Sequence, residues 1–237
     1  TDSNCDAETD AAGECFGGIA RLKTIIDDTR AGYADGNSLL LSAGDNFQGS
    51  LYYTTYKSKV VSDFFNQMGF DVVATGNHEF DDGPEEFLKF IEAAEFPIIG
   101  GNFDVSKDPS LAGKIEGSIV LEIGGEKVGI IGATTEDTPE IASPGDNIEF
   151  TDVFEYVRDT AAALDAAGIK KIILLSHIGY TVDLQLAADV PLVDVIVGGH
   201  SHSLLGSMEG AVGPYPTMVK NPDGIEVPVV QANEYGK

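Results

Sequence analysis

Short apolar runs alternate along this chain with segments in which apolar residues recur every three or four positions. Each run is bounded by turn-forming residues and predicts a buried strand, at 38–43, 71–75, 96–100, 171–175 and 193–197. The spacing of three to four predicts amphipathic helices near 18–31, 60–68, 84–94, 151–167 and 184–188. Residues 1–16 show neither pattern and are predicted to form a loop.

Turn and cap signals add detail to this outline. Gly124-Gly125 and Asp223-Gly224 each separate two apolar runs and predict β-hairpins. Pro84 suits the first turn of a helix, and Thr151 is the expected N-cap of the helix that Gly168 closes. Strands that alternate with helices, together with hairpins, predict an α/β fold with a mixed sheet or two stacked sheets flanked by helices.

Polar side chains stand where four of the predicted strands end. The string GNHEFD at 76–81 follows the apolar run at 72–74, and Asp45, Ser176-His177 and GGHSH at 198–202 end other runs in the same way. One such cluster alone is typical of a polar turn. Four of them indicate a shared site, because open α/β sheets place their chemistry at the carboxyl ends of their strands.

Length and charge limit the classes of partner. The chain of 237 residues can bury a large core, and one sizeable α/β domain is the natural count. Its 39 acidic and 14 basic residues give a net charge of −25, which disfavours nucleic-acid polymers and anionic lipid as general partners. An anionic substrate would need a local cation to overcome this field, and a bound metal is the obvious candidate.

The cysteines and the apolar runs bear on the compartment. No run approaches the roughly 20 apolar residues of a membrane span, and the absence of a signal peptide makes Thr1 a mature or truncated start. Cys5 and Cys15 lie in an acidic, exposed opening segment. A disulfide between them is favoured over two free thiols, and it would place the protein in an oxidising compartment.

All four histidines of the chain fall in the strand-end clusters. These histidines are His78, His177, His200 and His202. Because Asp45 and Asn77 lie in the same clusters, a metal site is favoured over four separate polar residues. Imidazole and oxygen ligands without thiolate fit zinc, manganese or similar divalent ions. The ligands outnumber those of one tetrahedral ion. A carboxylate such as Asp45 can bridge two ions about 3.5–4 Å apart, the usual arrangement for phosphoester hydrolysis.

Four blocks of the sequence, taken in order, resemble those of the calcineurin-like metallophosphoesterases: Gly44-Asp45, Gly76-Asn77-His78-Glu79, Ser176-His177 and Gly199-His200-Ser201-His202. Longer strings are similar to the 5′-nucleotidase branch, namely GDNFQG at 44–49, GNHEFD at 76–81, VGGHSH at 197–202, GGIARL at 17–22 and VVQA at 229–232. The resemblance covers essentially the whole chain. It implies one catalytic domain, residues 1–237, built as two stacked mixed β-sheets flanked by helices (an α/β/β/α sandwich).

The resemblance also implies a set of metal ligands. Asp45 would bridge two divalent ions, most simply zinc or manganese. Asn77, His177 and His200 would complete the coordination of one ion, and His202 would serve the other.

Two further residues receive catalytic roles from the resemblance. His78 would face the substrate phosphate beside Asn77, stabilising charge in the transition state or assisting the leaving oxygen. Asp81 would orient His78 and favour its charged form, although a cap on the helix that begins near Pro84 is an alternative for this residue. Glu79 receives no role. The nucleophile would be water or hydroxide activated by the two metals, without a covalent enzyme intermediate.

The chain departs from the family pattern at both ends. The family's Asp-x-His pair, which follows its first strand, would precede Cys5 and is not in this sequence. The second ion would then keep only Asp45 and His202. The C-terminal nucleotide-recognition domain of the family's nucleotidases is also absent from this sequence. We therefore expect this chain alone to be a poor catalyst and its parent protein to be a good one.

The expected activity is that of an extracytoplasmic enzyme, periplasmic, secreted or on the cell surface, which hydrolyses 5′-nucleotides to nucleoside and phosphate. A 2′,3′-cyclic nucleotide phosphodiesterase or a hydrolase of UDP-sugars or dinucleotides would use the same core. If the natural protein starts at Thr1, a non-catalytic metal-binding module is the alternative. An acidic structural domain would bind no metal. The sequence predicts neither the preferred nucleotide nor the oligomeric state.

Overall fold

A computed structural model describes residues 5–33 and 36–234. Its helices are α1 (Ala7–Ala11), α2 (Ile19–Gly32), α3 (Leu51–Tyr56), α4 (Ser58–Met68), α5 (Pro84–Ala93), α6 (Thr138–Ile141), α7 (Val153–Ala166) and α8 (Tyr180–Asp189), with a 3₁₀ turn at His78–Phe80. Its strands are β1 (Leu41–Ser42), β2 (Val72–Ala74), β3 (Ile98–Ile99), β4 (Phe103–Asp104), β5 (Ser118–Ile123), β6 (Glu126–Thr134), β7 (Glu149–Phe150), β8 (Lys171–His177), β9 (Val195–Gly198), β10 (Thr217–Lys220) and β11 (Glu226–Gln231).

Two sheets form the middle of the fold. One has the strand order β1-β2-β3, and all of its described pairings are parallel. The other has the order β10-β11-β9-β8-β6-β5 and is mixed, because its edge strands β10 and β5 run antiparallel to their neighbours. Strands β4 and β7 form a separate antiparallel pair. The α/β prediction is confirmed, but the prediction that both central sheets are mixed is wrong for the described part of the smaller one.

Three apolar clusters show how the layers stack. Between the sheets, Val72, Ala74 and Ile99 of the smaller sheet pack with Ile130 and Leu175 of the larger one. Helices α2, α4 and α5 cover the outer face of the smaller sheet, whereas α7 and α8 cover that of the larger one. Successive side chains of a strand point to opposite faces, so a strand buried on both sides is apolar throughout. This explains why these strands are continuous apolar runs in the sequence.

The opening segment differs from the predicted loop. Residues 1–4 lie outside the described part, but Ala7–Ala11 is helical. Asp6 caps this helix by accepting hydrogen bonds from the backbone N–H groups of Glu8 and Thr9. A disulfide joins Cys5 to Cys15 across the short helix, as predicted.

Two helix starts were also predicted wrongly. Asp152, rather than Thr151, caps α7, because its carboxylate accepts the N–H of Glu155 at 2.8 Å, while the N–H of Thr151 bonds to the carbonyl of Asn102. Helix α8 begins at Tyr180, ahead of the predicted 184–188. Its buried face includes Asp183, and this charged residue interrupts the apolar spacing that predicts where a helix begins. In the described ranges, no helix has both the length and the apolar character needed to cross a membrane.

Candidate metal centre

Four loops bring their polar side chains to one place between the ends of the two sheets. Asp45 follows β1 and Asn77 follows β2 in the smaller sheet, whereas His177 ends β8 and His200 follows β9 in the larger one. The ligand atoms offered by Asp45, His177 and His200 all lie within 4.8 Å of one another. The carboxyl ends of strands from both sheets therefore meet at this cluster.

The contacts within the cluster are short. Nε2 of His177 lies 3.0 Å from Oδ2 of Asp45 and 3.1 Å from Oδ1 of Asn77. Nδ1 of His200 lies 3.0 Å from the same amide oxygen of Asn77. The Asn77 and His177 side chains are buried, so water does not screen these contacts.

The chemistry of these atoms fits a divalent cation. Nδ1 of His177 lies 2.6 Å from the carbonyl oxygen of Ala43, which can only accept, so this nitrogen carries the proton. In the neutral imidazole, Nε2 then turns a lone pair towards the oxygens of Asp45 and Asn77. Lone pairs that converge in this way need a cation or a proton between them. Carboxylate, amide and imidazole donors suit zinc or manganese.

The charges of these groups depend on one another. Burial lowers the pKa of His177, but the bond and the charge of Asp45 outweigh it and raise that pKa. Burial raises the pKa of Asp45, and His177 outweighs this effect and lowers it. The pKa of His200 is lowered by burial and by His177. A proton between His177 and Asp45 would compete with a metal for the same place, and metal binding would release it.

The backbone at the centre is unusual. Asp45, His200 and His202 have positive φ angles of 58°, 71° and 52°, a region that residues with side chains seldom adopt. A Cβ atom on Gly44 would lie 2.5 Å from the amide nitrogen of Gly76, so the first two loops touch through their glycines. Such strained positions cluster at functional sites, where the surrounding structure holds them in place.

His78 lies beside the cluster and is partly open to solvent. Its side chain is 42% exposed, with Nδ1 2.7 Å from Oδ2 of Asp81 and Nε2 4.0 Å from Oδ2 of Asp45. Burial lowers the pKa of His78, but its hydrogen bond to the carboxylate of Asp81 and the nearby negative charges raise it overall. Helix α5 has Gly83 at its N-cap position and no side-chain cap, so the capping alternative for Asp81 is not observed.

His202 is placed differently from the other predicted ligands. In the described residues it does not belong to the close group of ligand atoms. Its Nδ1 lies 3.4 Å from a carboxylate oxygen of Glu234, near the end of the described chain.

Two residues that received no role from the sequence hold the ligand loops. Glu79 is fully buried and accepts hydrogen bonds from the loops that carry Asp45 and Asn77. Gln231 donates from Nε2 to the carbonyl of Gly199 at 2.8 Å and accepts the N–H of Ser203. Both lie in strings that resembled the family, but nothing in the sequence shows which atoms they contact.

The chain is similar in sequence to proteins of one family. Residues 6–204 match the family model of the calcineurin-like phosphoesterases. A snake venom 5′-nucleotidase from Gloydius brevicauda is 42% identical over 234 residues, which cover 94% of this chain. The chain spans only 39% of that relative.

Solved structures show the same fold. A 5′-nucleotidase precursor from Thermus thermophilus superposes with a TM-score of 0.89 at 45% identity, over 93% of this chain and 44% of that one. An NAD nucleotidase from Haemophilus influenzae superposes with a TM-score of 0.88 at 35% identity, over 93% of this chain and 45% of that one.

Proposed function

Because the chain belongs to the calcineurin-like phosphoesterases, we propose that it is the metal-binding catalytic part of an enzyme that hydrolyses 5′-nucleotides to nucleoside and phosphate. The observation that carries the proposal is the convergence of Asp45, Asn77, His177 and His200 on one point. Bound divalent cations supply Lewis acidity, which withdraws charge from phosphoryl oxygens and lowers the pKa of water.

The ligands divide between two ions in this proposal. Asp45 would hold both ions, and Asn77, His177 and His200 would hold one of them. The carbonyl of Ala43 fixes the His177 tautomer and so keeps Nε2 available as a ligand. His202, which lies outside the close group of ligand atoms in the described residues, would help to hold the second ion.

His78 acts on the phosphate itself. Its bond to Asp81 through Nδ1 leaves Nε2 on the side of the ring nearer Asp45. The half-open side chain can therefore reach a phosphate placed at the centre. Asp81 favours the charged imidazolium, which can donate a hydrogen bond to a phosphoryl oxygen or to the leaving oxygen. Asn77 contributes to the same surface, and no side chain forms a covalent bond to phosphorus.

A second candidate activity is hydrolysis of the phosphoanhydride of a dinucleotide. The similarity to an NAD nucleotidase favours it over the cyclic phosphodiester and the UDP-sugar as substrates. We place the choice between nucleotides in other parts of the whole protein, because this chain spans about two fifths of the relatives it matches. The disulfide and the net charge of −25 support an extracytoplasmic location.

A substrate panel on the full natural protein tests the proposal. Phosphate release is measured from AMP, and the nucleotide products of NAD, 2′,3′-cyclic AMP and UDP-glucose are separated and quantified by chromatography, each with and without a chelator. We expect AMP to be hydrolysed fastest, the chelator to abolish the reaction, and zinc or manganese to restore it. NAD cleaved faster than AMP would establish the second candidate. A protein that purifies with bound metal but cleaves none of the four would contradict the enzyme proposal.

A further inference from the structure

The carboxylate of Glu79 is buried at the junction of two ligand loops. Its side chain has no solvent-accessible surface, although it belongs to the exposed-looking string GNHEFD at 76–81. Carboxylates are seldom buried completely unless they are paired. No Lys or Arg is paired with Glu79 among the ion pairs of the described ranges, so its partners must be found elsewhere.

These partners are hydrogen-bond donors from the two loops. Oε2 accepts the backbone N–H of Asp45 at 2.9 Å and that of Gly76 at 2.6 Å. Oε1 accepts the backbone N–H of Asn46 at 2.6 Å and its side-chain amide at 3.2 Å. A carboxylate offers about four acceptor positions. All four are therefore used, three of them by backbone amides within or next to the ligand loops.

A further hydrogen bond joins the two loops, and here the acceptor lies on the loop of Asp45. Oδ1 of Asp45 accepts the backbone N–H of His78 at 2.9 Å, while Oδ2 faces His177. Asp45 keeps this arrangement in the left-handed backbone conformation, at φ 58°. The N–H that Asp45 gives to Glu79 fixes that conformation, and the conformation sets where the Asp45 carboxylate points.

We propose that Glu79 is a positioning residue of the metal centre, which holds the loops of Asp45 and Asn77 in the geometry that binds a divalent cation. The inference rests on the proposed function, because it assumes that Asp45 and Asn77 are ligands. In this proposal Glu79 is not itself a ligand, and it acts through the backbone N–H groups of the loops.

Electrostatics acts in the same direction as the hydrogen bonds. Glu79 places a second carboxylate close to the partly buried Asp45, and the two like charges repel each other. Burial and the charge of Asp45 both raise the pKa of Glu79. A divalent cation between Asp45 and the imidazoles would relieve this repulsion. The Glu79 carboxylate therefore favours cation binding by its charge as well as by the loop geometry.

The test compares Glu79→Gln with Glu86→Gln in the full natural protein. Glutamine keeps the size of Glu79, but its NH₂ group would face backbone N–H donors, so at least two of the four bonds are lost. Glu86 is the control, since it accepts the N–H and the hydroxyl of Ser58 and pairs with Lys89, away from the ligand loops. The same charge and the same kind of bond are removed there.

Two readouts separate positioning from general stability. The first is hydrogen exchange of the amides of residues 45, 46 and 76 in chelator-treated protein. The second is the Kd for Mn²⁺ from isothermal titration calorimetry. We expect Glu79→Gln to exchange at least about 10-fold faster at these amides and to bind Mn²⁺ about 10–100-fold more weakly, the usual range for residues that support ligands. Glu86→Gln should match the wild type in both.

The proposal is overturned if these amides are unprotected in the metal-free wild type, or if Glu79→Gln binds Mn²⁺ with the wild-type Kd. The wild-type exchange measurement needs no variant, so it decides the point even if Glu79→Gln does not fold. A wild-type protein that binds no Mn²⁺ would refute the proposed function. In that case the exchange rates still decide whether Glu79 holds the loops.

Discussion

Nε2 of His177 lies 3.0 Å from Oδ2 of Asp45, although the two residues belong to different sheets. Asp45 follows β1 of the parallel sheet, and His177 ends β8 of the mixed sheet. An ion held by both residues would therefore tie the two sheets together. Since a ligand that binds only the folded state stabilises it, the centre connects metal binding to stability.

Replacing the proposed bridging carboxylate should separate metal-dependent from metal-independent stability. Asp45→Asn removes the charge shared between the ions, so we expect loss of bound zinc or manganese, loss of hydrolysis, and a Tm that no longer rises when metal is added. Metal analysis and thermal unfolding measure this. Asp104→Asn is the control, because Asp104 is exposed and its carboxylate accepts hydrogen bonds from nearby Ser106, away from the metal centre. Full metal content in Asp45→Asn would contradict the bridging role.

His78 should be needed for turnover and not for metal binding. We expect His78→Ala to keep its ions but to lower kcat by roughly 10²–10⁴, the range for a positioned acid–base or charge-stabilising group. Steady-state kinetics together with metal analysis checks both parts. If this variant lost its ions, His78 would be a ligand and its assigned role would be wrong.

The Asp81 carboxylate should control the protonation of His78. The hydrogen bond at 2.7 Å and the negative charge of Asp81 raise the pKa of His78 against the effect of burial. We therefore expect Asp81→Asn to lower that pKa, measured from the NMR shift of the imidazole Cε1 proton in metal-free protein. The neighbouring Asp82→Asn is the control, because Asp82 bonds to Tyr53 and Lys57 instead. An unchanged pKa in Asp81→Asn would remove the orienting role.

The hydrogen bond between His78 and Asp81 also determines the sign of a pH effect on stability. The folded-state pKa of His78 is raised, so its contribution to the free energy of unfolding is fully present below the unfolded value of about 6.5. That contribution is lost as the pH rises through the folded-state pKa. Asp81→Asn should reduce this loss, because only the charges of Asp45 and Glu79 would then raise the pKa of His78, whereas Asp82→Asn should retain it.

Asp183 should make the protein less stable as the pH rises from about 4 to 7. Its Oδ1 accepts the hydroxyl of Ser176 at 2.6 Å, but Oδ2 has no hydrogen-bond partner in the described part of the chain. Burial raises the pKa of Asp183 to about 7 from 3.8, so in this window the folded state binds the proton and the unfolded state does not. Stability therefore falls with pH, by at most about 1.4 kcal/mol per pH unit.

Urea unfolding of metal-free protein at pH 5 and pH 8 measures this effect. We expect Asp183→Asn to gain stability relative to the wild type between the two pH values, by on the order of 2 kcal/mol. Asp189→Asn on the same helix is the control, because Asp189 is exposed and pairs with Arg158. Equal pH dependence in the Asp183 variant and the wild type would show that Asp183 is ionised when folded.

The sequence predicts the order and the place of the ligands because each lies where an apolar run stops. Asp45 and Asn77 can be placed at strand ends without any knowledge of tertiary contacts. The role of Glu79 could not be predicted in this way. Its partners Asp45 and Asn46 are distant in the sequence, and the pairing of β1 with β2 brings the two loops together in the fold.

The errors in the helices have similar causes. Asp183 interrupts the apolar face of α8, and only the folded structure shows that this acid is buried against Ser176.

Gln231 ends a strand that the apolar pattern of the sequence predicts. Its contact with the loop of Gly199 depends on the parallel pairing of β11 with β9, which the sequence does not specify.

Anomalous diffraction at the zinc edge, from crystals of the full natural protein grown with zinc, tests the central claim most directly. We predict a peak at about 2.0–2.2 Å from the carboxylate of Asp45 and the imidazoles of His177 and His200, with the amide oxygen of Asn77 beside it. Zinc bound only at other residues, with these four side chains left to one another, would contradict the account.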